Sequence, residues 1–180
     1  MNARAWADTL AVGRRGETIL DAVFGVEYIL VKATRHHERQ GVDRFFVHRR
    51  DGRVIYRVDY KTDEVAGRTG NLALEHVSVV RKGRREAKGW IHTTIAELVI
   101  SYVPALDTAF ILEVETLRLA WPDIMRLYPP KFASTSSDNS YQSLNCCVPI
   151  TWLRESALIS RTVEVVNAQL RLPLTMRRPG

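Results

Sequence analysis

Hydrophobic and polar positions alternate along two neighbouring stretches of this chain, 43–48 and 54–61, and Asp51-Gly52 lies between them. Both stretches are rich in β-branched and aromatic residues, so together they predict a β-hairpin. Upstream, Ile19, Leu20, Val23 and Phe24 fall on one stripe at helical spacing. That stripe predicts an amphipathic helix over 17–24, with Glu17 in its opening turn and Gly25 ending it. A first strand is expected over 26–33, then a charged loop over 34–41. After the hairpin, 62–71 reads as a polar connection. A third strand follows over 72–80, with Leu72, Leu74, His76 and Ser78 on one face. A basic loop is expected over 81–85. Thr94 and Glu97 have capping-box spacing, which predicts a short helix opening there. Strands are expected over 99–103 and 109–114 around a Pro104/Asp107 turn, and a helix over 116–128 that Pro122 kinks or divides. The pattern closes with a Ser-rich surface loop over 134–143 and a strand over 146–150, where Pro149 argues for an edge position. The rest is expected to be helical, ending in Arg177-Arg178.

Turn length in the hairpin decides which side chains meet. A two-residue Asp51-Gly52 loop pairs Arg50 with Arg53 and sets Asp43 opposite Tyr60, facing away from Asp59. A three-residue loop with left-handed Gly52 in a bulge pairs Asp43 with Asp59 instead. A site shared by Asp43 and Asp59 therefore requires the bulged turn or an equivalent bulge along the strand.

The 180 residues are 46% hydrophobic, enough for one domain with its own core, and no linker or internal repeat divides them. Lys and Arg number 26 against 20 Asp and Glu, a net charge of +6, which favours a polyanionic partner such as a phosphate backbone. Cys146 and Cys147 are adjacent, a spacing that suits neither a disulfide nor a zinc site, so they are expected to be small apolar residues of a buried strand. The first residues lack an apolar signal core, and no apolar run reaches membrane-spanning length. A soluble, cytoplasmic protein without membrane contact is the expectation.

Asp59 and Lys61 sit two apart in Val58-Asp59-Tyr60-Lys61, so a strand projects both to one face. With Asp43 they supply two carboxylates for a hard cation and an amine for the water or phosphate beside it. The bland alternatives stand next to these readings. Asp59 and Lys61 also suit a solvated ion pair, Glu17 a residue complementing the helix dipole, and Asp43 a turn cap after Gly41. Glu75 reads as structural, with a place in the acidic cluster from the third strand as the alternative. His36, His37, His48, His76 and His92 show no metal-ligand spacing. Arg81, Lys82, Arg84, Arg85 and Lys88 form the densest basic run, and Arg35, Arg39 and Arg44 lie near the acids. All eight are candidate nucleic-acid contacts, with a solvated surface as the alternative. Trp90, Trp121 and Trp152 read as core or interface.

The order of helix Glu17, then Val42-Asp43, then Asp59-Tyr60-Lys61 on the next strand resembles the PD-(D/E)XK nuclease superfamily. Val42 stands where proline is common in that motif. The spacing from Asp43 to Asp59 across a hairpin looks like that of archaeal-type Holliday junction resolvases and related phage nucleases, as do 69–75 and the His92-Thr93-Thr94 segment. The resemblance spans 16–128 and leaves 129–180 as a C-terminal extension of one nuclease-like domain. It implies an α/β, restriction-endonuclease-like fold, a mixed sheet flanked by helices in αβββαβ order. It further implies a Mg²⁺- or Mn²⁺-dependent DNA endonuclease leaving 5′-phosphate and 3′-hydroxyl ends. Asp43, Asp59, the Tyr60 carbonyl and Glu17 would hold the cation, and Lys61 would orient water or stabilise the transition state. Branched DNA is one candidate substrate, and a resolvase role would entail a homodimer. The alternatives are a phage- or restriction-type nuclease without structure specificity, and a catalytically silent nucleic-acid-binding module on the same fold.

Overall fold

A computed structural model describes residues 3–81, 84–134 and 142–165. The chain opens with helix α1 (Ala3–Phe24), which begins well before the expected 17 and so places Glu17 deep inside the helix instead of at its start. Its apolar stripe does what its spacing requires: Leu20 and Phe24 are buried to 0% and 2% exposure against a sheet. Three strands follow, β1 (Ile29–Lys32), β2 (Arg44–Val47) and β3 (Val54–Thr62), with the single-turn helix α2 (Arg35–Glu38) between the first two. Next come the single-turn α3 (Ala66–Thr69), then β4 (Asn71–Arg81), β5 (Arg84–Lys88) and the single-turn α4 (Trp90–Thr93). Strands β6 (Leu98–Val103) and β7 (Thr108–Glu113) flank a 3₁₀ turn, Pro104–Leu106, which Asp107 closes at φ 45°. Helices α5 (Val114–Leu119) and α6 (Trp121–Leu127) divide at Pro122, which occupies the first turn of α6. The described chain ends with β8 (Lys131–Ser134), β9 (Gln142–Pro149), α7 (Ile150–Glu155) and β10 (Ile159–Glu164).

These elements make a mixed α/β molecule. A six-stranded mixed sheet has the order β1-β2-β3-β6-β7-β10, in which β3 and β6 are parallel and every other pair is antiparallel. A separate four-stranded antiparallel sheet has the order β5-β4-β9-β8. Helix α1 covers one face of the large sheet over Phe46, Val58, Tyr60 and Ile100. The main core joins Val99, Phe110 and Leu112 of the large sheet to Leu72, Leu74 and Cys146 of the small one. Among the described residues no helix is long and apolar enough to cross a membrane.

Several local expectations fail for identifiable reasons. The loop expected over 34–41 contains one helical turn, α2. Thr94 opens no helix. It follows α4 in extended conformation, its hydroxyl donating to the Gly41 carbonyl (2.8 Å) and accepting the Ala96 N–H (3.1 Å), while Glu97 clamps Arg57 at the start of the parallel pair. His76 and Ser78 leave the Leu72–Leu74 face because register shifts at 75–77 and 77–80 turn the strand, burying Val77 and Val80 in their place. Of the basic stretch expected as a loop, Arg81 ends β4 and Arg84 and Arg85 open β5, with Arg81 opposite Arg84. Strand β9 is internal to its sheet, not an edge, because Pro149 falls at its last residue, where a missing N–H costs little. Cys146 is buried and Cys147 exposed, as alternation requires of adjacent strand residues. Of the described residues after 150, only those of α7 are helical and 159–164 form a strand, while 166–180, with the Arg177-Arg178 tail, lie outside the described residues. Within the stretch expected as an extension, β10 pairs with β7 at the edge of the large sheet, while β8 and β9 belong to the small one.

Candidate metal and nucleic-acid site

The β2–β3 hairpin turns through four residues, 49–52. His48 N–H donates to the Arg53 carbonyl (2.9 Å), Gly52 N–H donates to the His48 carbonyl (3.0 Å), and Gly52 sits at φ 69°. A single register shift between Phe46 and Val47 then adds one residue to β3, so that Phe46 faces Tyr56 and Arg44 faces Val58. That bulge brings Asp43 level with Asp59. The Asp43 N–H donates to the Val58 carbonyl (2.8 Å), and its Oδ2 accepts the Tyr60 N–H (2.8 Å). The carboxylate thus stands in for a missing strand partner where the β2–β3 ladder opens.

Asp59 is 2% exposed. Its Oδ1 accepts from Lys61 Nζ at 2.8 Å, while Oδ2 is buried without a hydrogen-bond donor. Burial raises the Asp59 pKa to about 7; Lys61 pulls it down and the neighbouring Asp43 carboxyl pushes it up. Lys61 is held above its ordinary value. Burial works against its charge, but Asp59, then Asp43 and Glu75, more than offset that. The ammonium side chain keeps 38% exposure, so it joins the buried carboxyl to the surface.

Glu17 does not join this group. Its Oε2 accepts from Arg44 Nη2 at 3.0 Å, and Asp21 accepts from the same guanidinium at 2.8–3.2 Å. Arg44 pairs with Val58, whose face packs on α1. Asp59, one residue on, points to the other face. Arg44 is 7% exposed and also donates to the Asp43 carbonyl, so it braces the site and presents no surface to a phosphate. Tyr60 is itself buried, and its amide is tied to Asp43. Arg35 and Arg39 are exposed on and just after α2, and Lys88 is exposed on β5. Lys82 lies outside the described residues, as do the side chains of Arg81, Arg84 and Arg85.

No family model, curated protein or solved structure matches the chain. The site is therefore weighed on its own atoms. Among the described residues no group of three or more His, Cys, Asp or Glu is arranged to hold a metal ion. A pair of carboxyls suffices for magnesium, which typically binds one or two protein carboxylates and completes its shell with water and substrate phosphates. The donorless Asp59 Oδ2, facing a second carboxyl, is an oxygen that a cation would satisfy. The residues fit the cation that the sequence implies, through Asp43 and Asp59.

Lys61 opens into a cleft of about 660 Å³ lined from α1, the end of β3, β4, β6 and β9. Apart from Glu75, the residues of the far wall carry no motif that marks them. Glu75 and Asn145 are cross-strand neighbours there, and Ser143, 1% exposed, lines it too. Glu75 accepts from Ser78 Oγ and Trp90 N–H, both at 3.3 Å. His76 Nδ1 and His92 Nε2 meet at 2.8 Å and pack on Trp121, although 15 residues separate them in sequence.

Proposed function

We propose that this chain hydrolyses phosphodiester bonds in DNA with Mg²⁺ or Mn²⁺ held between Asp43 and Asp59. The observation carrying this reading is the buried, donorless Oδ2 of Asp59 beside the Asp43 carboxyl, with Lys61 bonded to Oδ1. The Asp59 carboxyl, pushed up to about 7 by burial, readily exchanges its proton for a cation at neutral pH. A cation held by Asp43 and Asp59 would supply an acidified water and neutralise charge on the scissile phosphate. Asp43 and Asp59 fix its position from two strands that the hairpin register locks together. Lys61, with its raised pKa, stays protonated near neutrality; it is a donor to the phosphate, not a base. Glu17 acts at one remove by holding Arg44 against the Asp43 carbonyl.

The fold supports the resemblance to PD-(D/E)XK nucleases. Helix α1, the antiparallel β1–β2–β3 and a return to β6 parallel to β3 follow the αβββαβ order once α2 and the β4–β5 excursion are set aside. A restriction-endonuclease-like core is the reading these strands favour. The test uses labelled four-way junction, linear duplex and single-stranded DNA, each with Mg²⁺ or with EDTA. Magnesium-dependent cutting supports the nuclease, and symmetric cuts confined to the junction would assign it to the resolvase class. Binding of DNA with no cutting in any metal rejects the proposal in favour of a silent binding module.

A further inference from the structure

Among the described residues, Asn145 on the cleft wall is a polar side chain left only partly satisfied. One end of its amide, Nδ2, donates to Ser143 Oγ at 3.3 Å; the other, Oδ1, is buried without a donor. An amide oxygen left buried and unpaired is destabilising, so the cleft suits a partner that carries an N–H. Leu72, Leu74, Leu112 and the half-buried Trp90 line the same cleft, as does Lys61, which bonds to Asp59. Cleft volume falls within the roughly 300–1,000 Å³ typical of sites for one small molecule. A cation at one end, an apolar and aromatic lining, and a buried acceptor match a phosphate, a base and the amino edge of that base.

We propose that the cleft receives one unpaired nucleotide, its phosphate at Lys61 and its base edge at Asn145. This rests on the nuclease reading and narrows its substrate to single strands, overhangs, flaps or extruded nucleotides. A base in intact duplex is stacked and paired, and its edge reaches such a recess only by leaving the helix. The acidic neighbours do not oppose the phosphate equally. Asp63 is engaged by the Val65, Ala66 and Ala73 N–H groups, and Glu75 by Ser78 and Trp90.

Binding decides this inference, and cutting decides the nuclease reading separately. Fluorescence anisotropy would follow a labelled single strand, the same sequence as blunt duplex, and that duplex with a short overhang, in EDTA and in Ca²⁺. The single strand and the overhang should bind roughly tenfold tighter than blunt duplex. An abasic position stepped through the single strand should weaken binding by roughly tenfold at one step. That substrate-side scan needs no variant. Asn145→Ala should lose the single-strand preference, with its circular dichroism melt confirming that it folds. Equal affinity for blunt duplex and single strand, or an abasic scan without a sensitive step, overturns the inference even if the protein cuts DNA.

Discussion

Burial has set Asp59 apart from an ordinary strand carboxylate. Its pKa of about 7 lies above the value near 4 of the unfolded chain, so the native state binds the extra proton between those limits. Stability from this group therefore falls as pH rises from about 4 to about 7, and stays reduced above that. Asp59→Asn removes the titration. Urea melts should show the variant gaining on the order of a few kcal/mol over wild type between pH 4 and pH 8. A flat difference across that range would mean the carboxyl is not desolvated. Arg44 poses the opposite case, a buried cation with two carboxylates about a third exposed. Burial works against its charge, but hydrogen bonds and attraction from Asp21 and Glu17 hold its pKa above the ordinary value. Arg44→Met should cost about 2 kcal/mol, below the range for a fully buried pair. Glu17→Gln separates bracing from ligation: kcat should stay within about tenfold of wild type, since one of several bonds to Arg44 weakens. A fall as deep as that of Asp59→Asn would place Glu17 on the cation.

At the scale of elements, the bulge in β3 is the device that makes the site. The four-residue turn by itself sets His48 against Arg53, and one extra residue past Val54 restores the register that brings Asp43 to Asp59. Inserting one alanine between Tyr56 and Arg57, past the shift, should leave a folded hairpin in which Asp43 falls opposite Val58 and faces away from Asp59. Cleavage should disappear while the far-ultraviolet spectrum persists; retained cleavage would show that register does not set the site. Alternation and Asp51-Gly52 made the hairpin legible, and the need for a bulge followed from counting residues. Its location did not, because nothing about Ile55 marks it as unpaired. Glu97 misled for a related reason. Capping-box spacing is local, whereas Thr94 answers Gly41 and Glu97 answers Arg57, both more than 35 residues away. The cleft wall was hidden likewise, since Glu75 meets Asn145 only through the pairing of β4 with β9.

The whole molecule joins two sheets through one core, and its last described strands are structural. β9 is internal to the small sheet, β10 closes the large one, and Leu153 of α7 is fully buried in the shared core. A chain ending at 149 removes α7 and β10 together and should lose its cooperative thermal transition; a sharp unchanged melt would make that segment a dispensable extension. Helix, hairpin, acids and lysine were readable from 17–61, but the second sheet was not, because its strands are recruited from distant stretches. The proposal common to both scales is one cation held between Asp43 and Asp59. Electron paramagnetic resonance titration with Mn²⁺ tests it most directly. The site predicts about one bound ion per chain, displaced by Mg²⁺ and lost in both Asp43→Asn and Asp59→Asn. Absence of bound Mn²⁺ in wild type, or undiminished binding in those variants, would contradict it.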